Sequence, residues 1–209
     1  MVAGHIIDYD RANATIKSII KDRLIAIFNR YNATDVTIQA GDYQAVMSDS
    51  HDAMRMVLEQ RAMLKQLTHK MHPKGLDSRT SIGFAEFGDD ADFESQITSS
   101  KLRAVMGLSD LNSRNGRIGV TTGLGELDAI LGTTMRLLDR VVCGWSSSQA
   151  AAMEYALQGM TQHQIADILH ITQPSVNNRL KLAQWNEIEH IIDVWESITL
   201  TKNKFEYQY

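Results

Sequence analysis

This 209-residue chain has few of the residue types that would indicate a disulfide-rich or a disordered protein. It has one cysteine, Cys143, so no disulfide can form within the chain, and we expect this small side chain to be buried. It has only two prolines, and 22% of its residues are charged, which argues against long disordered tracts. With 44% apolar residues, the chain is long enough to bury the core of one or two domains.

Long apolar runs are also missing. The first ten residues, MVAGHIIDYD, contain no basic segment and no sustained apolar run, so we expect no signal peptide. No segment approaches the length of a membrane span. The sequence therefore predicts a cytoplasmic protein without a membrane partner.

The stretch most informative about function is 161–183, TQHQIADILHITQPSVNNRLKLA. It predicts a helix over 162–169 with Thr161 as its N-cap, then a tight turn at 170–172. Thr172 is placed to cap a second helix, and Pro174 falls in the first turn of that helix, where a missing N–H costs little. The pattern predicts a helix-turn-helix, a motif that places its second helix in the major groove of DNA.

The predicted second helix has two different faces. Val176, Leu180 and Ala183 recur at helical spacing and predict a narrow buried stripe. Amide side chains pair with adenine and arginine pairs with guanine in the major groove, so the polar face predicts base contacts. We expect base contacts from Gln173, Ser175, Asn177, Asn178 and Arg179, and phosphate contacts from Thr161, Thr172 and Lys181. The alternative interpretation is an ordinary helical hairpin with a solvated polar face.

An excess of positive charge is lacking, because the formal net charge is −4. Within the predicted motif, the positive charges of Arg179 and Lys181 are offset only by the negative charge of Asp167, but the segment that follows is acidic. One copy would therefore make few phosphate contacts and bind DNA weakly. This favours a homodimer bound to double-stranded DNA.

The N-terminal half has the predicted order strand–helix–strand–strand–helix–strand–helix–strand, which is that of a ferredoxin-like palm extended by a helix and a strand. The predicted fold class is therefore α+β, with a ferredoxin-like N-terminal domain and an all-α helix-turn-helix domain. We expect the palm at 1–124, a connector helix at 125–145, the helix-turn-helix domain at 146–199 and a tail at 200–209. The C-terminal helix of the third segment is expected to pack on the N-terminal domain or on a second subunit.

Two carboxylates in this half carry a resemblance. Asp8 closes the first strand, and Gly41-Asp42 precedes YQAVM in the hairpin. Together they resemble the core of the class III nucleotidyl cyclases and diguanylate cyclases, in which carboxylates at these places hold metal ions. The resemblance implies Mg²⁺ at Asp8 and Asp42 and a nucleotide-binding or cyclase-like enzyme, as the alternative function. The hairpin reads AGDY, without a GGDEF signature, and the later Asn and Arg of those enzymes have no match, so Asp8 and Asp42 are otherwise turn and capping residues.

The whole layout resembles the SatD family, which combines a palm-like N-terminal domain with a C-terminal helix-turn-helix. The segment that begins at Ser146, SSSQAAAMEYALQGMTQHQIADILHITQPSVNNRLKLAQW, carries most of the likeness and also resembles region 4 of sigma factors. The resemblance implies DNA binding rather than a reaction. We therefore predict a dimeric transcriptional regulator with no required cofactor, whose N-terminal domain serves dimerisation or the sensing of a small molecule or nucleotide.

Three further patterns are weak. His69 and His72 stand three residues apart without a third ligand, so we expect an exposed loop rather than a metal site. The acidic residues at 86–94 predict a solvated loop. Gly123-Leu124-Gly125 is similar to the beginning of a phosphate loop but lacks the Gly-Lys pair that follows in one, so a simple strand break is expected.

Overall fold

The computed structural model describes residues 1–71, 76–85 and 92–205, with side chains described for 1–67, 76–85 and 92–199. In this part of the chain the protein is mixed α+β, with a five-stranded sheet and eight α-helices. The strands are β1 (Val2–Ile7), β2 (Thr34–Gln39), β3 (Asp42–Val46), β4 (Asp77–Gly83) and β5 (Ile118–Thr121). The helices are α1 (Ala14–Arg30), α2 (Asp52–Met71), α3 (Phe93–Arg114), α4 (Gly125–Cys143), α5 (Ser147–Leu157), α6 (Gln162–Leu169), α7 (Gln173–Leu182) and α8 (Trp185–Phe205).

The sheet has the strand order β2-β3-β1-β4-β5. The pairs β2–β3, β3–β1 and β1–β4 are antiparallel, whereas β4–β5 is parallel. The edge strand β2 shifts its register between Thr34 and Thr37, and Asp35 between them has a φ of 48°. This is a β-bulge, a common way to interrupt the regular edge of a sheet.

The core of the sheet is organised by one tyrosine that crosses three strands. Gly4 on β1 is aligned with Tyr43 on β3 and with Thr80 on β4. A Cβ atom on Gly4 would lie 2.1 Å from the Tyr43 ring, and the Tyr43 hydroxyl lies 2.5 Å from Thr80 Oγ1. Phe28 of α1 packs on the same ring, with 5.9 Å between ring centroids. Only glycine at position 4 leaves room for this arrangement.

Helix α3 packs closely on the opposite face of the sheet. A Cβ atom on Gly83 would lie 2.2 Å from the Ser100 carbonyl oxygen, so glycine is required for this approach. The helix begins at Phe93, within the range 86–94 that was predicted to be a loop. Asp92 is its N-cap and accepts the Ser95 N–H at 2.7 Å. This hydrogen bond lowers the pKa of the Asp92 carboxyl. The rest of that acidic loop, 86–91, lies outside the described residues.

Helix α4 runs along the edge strand β5. Asp139 Oδ2 accepts the backbone N–H of Arg117 at 2.7 Å and that of Ile118 at 3.2 Å. Asp128 Oδ1 accepts the Thr122 N–H at 2.6 Å. The helix thereby satisfies backbone N–H groups at both ends of an edge that would otherwise leave them unpaired.

Contacts between residues divide the chain into two units, Met1–Ser48 with Leu76–Cys143 and Asp49–Gly75 with Gly144–Tyr209. The first unit contains the sheet with α1, α3 and α4. The second contains α2 and α5–α8, with α2 packed on α5 and α8, and α7 packed on α5, α6 and α8. Helix α2 is buried all round from Met56 to Leu64, including the side chains of Glu59, Gln60 and Arg61.

This division differs from the predicted segments in two places. Helix α2 was assigned by sequence to the palm, yet it packs with the C-terminal helices, because its apolar residues occupy every side and can serve a second core. The expected connector, α4, is held against β5 by its two aspartates. The helix α8 packs on α2, where Trp195 Nε1 donates to the Ser50 carbonyl at 3.0 Å and Arg55 pairs with Glu196 at 2.9 Å.

Several smaller expectations also meet the structure. Cys143 is exposed rather than buried, because it ends α4 on the side away from buried Val142. His72 and the side chain of His69 lie outside the described residues. The segment 200–205 was expected to belong to the tail but continues α8, and the rest of the tail lies outside the described residues. In the described ranges we find no helix that is long and apolar enough to cross a membrane.

Candidate nucleic-acid interface

The predicted first helix of the motif corresponds to α6, and its start is fixed by reciprocal caps. The Thr161 hydroxyl accepts the Gln164 N–H at 3.4 Å, and the Gln164 side chain accepts the Thr161 N–H at 2.9 Å. Such a capping box satisfies two backbone donors that the first turn leaves open. Ile165 and Ala166 on this helix are buried.

The turn between α6 and α7 relies on a left-handed residue. His170 has a φ of 52° and ends α6, a conformation in which histidine is enriched among non-glycine residues. The next N–H, that of Ile171, donates to the Ala166 carbonyl at 3.0 Å. Thr172 then caps α7 by accepting the Ser175 N–H at 3.4 Å, and Pro174 lies in the first turn. The predicted N-caps Thr161 and Thr172 and the predicted position of Pro174 are confirmed.

Helix α7 is anchored by its apolar stripe and by one tryptophan. Val176, Leu180 and Ala183 are at most 4% exposed, which confirms the predicted buried face. The Trp145 indole N–H donates to the Ala183 carbonyl at 3.0 Å and so fixes the end of the helix. Trp145 was not among the residues predicted to matter, although an aromatic residue directly before the capping Ser146 of α5 indicates a packing role.

The opposite face of α7 presents the residues predicted to contact DNA. Ser175, Asn177, Asn178 and Lys181 are exposed, whereas Gln173 and Arg179 are partly buried. Gln173 Nε2 donates to Gln162 Oε1 at 2.7 Å, a bridge from α7 to α6 that the sequence did not reveal.

Four of these side chains are free to bind another molecule. Within the described ranges, no hydrogen bond or ion pair engages the side chains of Asn177, Asn178, Arg179 or Lys181. By contrast, the hydroxyls of Thr161 and Thr172 hold the helix caps, and Thr172 Oγ1 also lies 2.8 Å from Ser175 Oγ. The two threonines therefore position the helices first, and a phosphate contact from either stays a prediction.

The charge around α7 is uneven. Arg179 and Lys181 are its two cations, and Asp167 is exposed on α6. The exposed face of α8 carries Glu187, Glu189 and Asp193. The two cations of α7 therefore stand next in sequence to an acidic helix, whose charge would oppose the binding of a polyanion.

The carboxylates of the alternative hypothesis lie at the same end of the sheet. Asp8 follows β1 with a φ of 59°, and the Ile6 N–H donates to the Gly41 carbonyl in the hairpin tip at 2.9 Å. Each carboxylate has its own partner: Asp8 pairs with Arg11 at 3.1 Å, and Asp42 Oδ1 lies 2.7 Å from His5 Nδ1. Asp8 makes no capping hydrogen bond with its side chain.

A metal site at this end would need further ligands. Residues 1–67, 76–85 and 92–199 contain no group of three or more His, Cys, Asp or Glu side chains that could hold a metal ion. Mg²⁺ is commonly bound through one or two carboxylates together with phosphates, so the predicted pair would need the nucleotide itself to complete the site. A metal role for Asp8 and Asp42 stays a prediction.

Comparisons with known proteins give no relative to guide the assignment. No protein-family model matches the chain, and neither a curated protein nor a solved structure matches it.

Proposed function

We propose that this protein is a sequence-specific DNA-binding transcriptional regulator that uses α6 and α7 as a helix-turn-helix. The observation that carries the proposal is the outer face of α7. Its Asn177, Asn178 and Arg179 side chains are held on a well-capped helix yet bind nothing within the described residues. Polar side chains held in this way are the groups that direct readout of bases requires.

The two faces of α7 support this proposal together. The buried stripe and the Trp145 hydrogen bond fix the rotation of α7, so the direction of its outer side chains is set by the core. Its first turns carry short polar residues, and these are the positions that approach base edges in a helix-turn-helix. Asn177 and Asn178 suit adenine, and Arg179 suits guanine.

We further propose that the protein binds DNA as a homodimer. A single α7 supplies two cations, and the acidic residues of α8 limit any wider basic surface. Affinity that depends on few phosphate contacts is low, and a second copy on an adjacent half-site doubles the contacts.

The sheet unit supports a role in dimerisation or sensing. Its first four strands have the order and antiparallel pairing of a ferredoxin-like domain, extended by α3 and the parallel strand β5. This order agrees with the palm-like half of the SatD resemblance. The placement of α2 with the C-terminal helices is a departure from that fold.

Selection from a randomised DNA duplex pool tests the proposal. The full chain is expected to enrich a palindromic motif, with a binding constant that falls as salt rises. Asn178→Ala is expected to weaken binding to the motif, whereas the matched control Asn186→Ala, an exposed asparagine on α8, is expected to leave it unchanged. Failure to enrich any sequence at low salt would refute a DNA-binding function.

A further inference from the structure

A second candidate site lies within the sheet unit, between α3, β5 and α4. These elements enclose a cleft of about 500 Å³. Its floor is the edge strand β5, and its walls are one face of α3, which includes Gly107 and Arg114, and one face of α4, which includes Gly132 and Arg136. A cleft of this volume is within the range of small-molecule sites.

The floor of the cleft offers backbone hydrogen-bonding groups. Thr80 N donates to the Arg117 carbonyl, and Phe84 N donates to the Thr121 carbonyl. The backbone N–H and carbonyl groups of the odd-numbered residues of β5 therefore point towards β4. Successive residues of a strand point their backbone groups in opposite directions, and Ile118 and Val120 therefore face outward. Asp139 takes the Ile118 N–H, but no acceptor within the described ranges takes the Val120 N–H.

The two ends of the β5 edge are closed, which excludes a long peptide. Asp139 occupies the backbone N–H of Ile118, and Asp128 occupies that of Thr122, so an added β-strand could not pair beyond Val120. The open part of the edge is one residue long. It suits a ligand with a single adjacent donor and acceptor rather than an extended chain.

Glycines line the cleft for two different reasons. A Cβ atom on Gly107 would lie 2.2 Å from Ser81 Oγ, and one on Gly119 would lie 3.1 Å from Leu111, so packing explains both. A Cβ atom on Gly132 would meet nothing within 4 Å, although glycine is unfavourable within a helix. Packing does not explain this glycine, whereas a ligand that approaches the helix backbone would.

Two arginines and three aspartates line the cleft, and the aspartates are already engaged, so the arginine without a partner is the charged group left for a ligand. Arg136 is exposed on α4 and has no partner within the described ranges, and Arg114 on α3 pairs only with exposed Asp110, at 3.0 Å. The two α4 carboxylates that line the cleft, Asp128 and Asp139, accept backbone N–H groups in β5 and directly after it. Behind Gly107, outside the lining of the cleft, the fully buried Ser81 Oγ has no hydrogen-bond partner within the described residues.

We propose that this cleft binds a mononucleotide-sized organic phosphate. The base edge would pair with the backbone N–H and carbonyl of Val120, and the phosphate would lie between Arg136 and Arg114. This site is separate from α6–α7 and from Asp8 and Asp42, and its existence does not rest on DNA binding. If the protein regulates transcription, the ligand is the signal that the sheet unit senses.

Titration of the full chain with 5′-AMP, GMP, CMP and UMP tests the proposal. Saturable binding of at least one nucleotide by calorimetry is expected, with NMR shifts at the Val120 and Gly132 amides. Loss of a charge-assisted hydrogen bond through Arg136→Gln should weaken that binding about 10- to 100-fold. Arg136 is exposed, so this variant is expected to fold as the unmodified chain does.

A matched pair at Gly132 locates the ligand. Gly132→Leu should fill the cleft and abolish binding, whereas Gly132→Ala should raise the melting temperature and bind more tightly than the leucine variant. Equal affinity for inorganic phosphate, or nucleotide binding unaffected by Arg136→Gln and Gly132→Leu, would overturn the proposal. Absence of binding by any nucleotide would also overturn it, and leaves the DNA selection experiment as an independent result.

Discussion

Two polar surfaces of this protein differ in what holds their side chains. At the end of the sheet, Asp8 and Asp42 are paired with Arg11 and His5, so each carboxylate already has a partner. On α7, Asn177, Asn178 and Arg179 have no partner within the described residues. The first surface is satisfied within its own unit, whereas the second is free to bind another molecule.

If α7 binds DNA as proposed, the state of a side chain in the fold is a better guide to function than its residue type. Carboxylates near a strand end suggest a metal site from sequence, but Asp8 already pairs with Arg11 and Asp42 with His5, and a metal would have to compete with these partners. Amides and an arginine on a helix suggest solvated surface or recognition, and the rigid placement of α7 favours recognition. Substitutions that affect stability on one face of α7 and binding on the other test this comparison directly.

The largest effect is expected on the buried face of α7. Leu180→Ala should lower the free energy of unfolding by about 2–5 kcal/mol, because Leu180 is 4% exposed and its loss leaves a cavity. Leu182→Ala is the matched control, since Leu182 is 62% exposed and its loss should change stability by about 0.5 kcal/mol or less. Chemical denaturation measures both. Similar losses for the two leucines would contradict the assigned rotation of α7.

The next largest effect is expected on DNA binding. Arg179→Ala should cost about 1–3 kcal/mol at the selected site and relax the preference at one base pair. Lys181→Ala should instead weaken binding to all sequences and reduce the salt dependence by about one phosphate contact. Fluorescence anisotropy on matched and mismatched duplexes separates the two. If Arg179→Ala weakens all sequences equally, Arg179 contacts phosphate and not a base.

A smaller effect is expected at the helix cap. Thr172→Ala removes the side chain that accepts the Ser175 N–H and should cost about 1 kcal/mol of stability. Thr172→Ser keeps a hydroxyl at the same place and should retain most of that stability. Thermal unfolding of both variants provides the measurement. Equal loss in the serine variant would assign the role of Thr172 to its methyl group.

The smallest effect is expected at the sheet end. Asp42 is exposed, so Asp42→Asn should change stability by about 1 kcal/mol or less. Mg²⁺ with a nucleoside triphosphate should leave the melting temperature unchanged if the carboxylates serve only their present partners. A rise that Asp8→Asn and Asp42→Asn both abolish would instead support the cyclase-like alternative and break the comparison.

The sequence by itself determined the local structure of α6 and α7. Caps, a proline in the first turn and apolar spacing act between residues a few positions apart, so Thr161, Thr172 and Val176 could be assigned before the fold was known. The strand and helix order of the first 124 residues was predictable for the same reason.

Only the tertiary structure decided which distant elements meet. The packing of α2 with α5 and α8, the hydrogen bonds of Asp128 and Asp139 to β5 and the bond from Trp145 to Ala183 all join residues whose pairing no local pattern specifies. The same is true of Gly4 and Gly132, which look alike in sequence. Gly4 is required by the Tyr43 ring, whereas Gly132 borders open space, because what a missing side chain makes room for depends on the element brought opposite it.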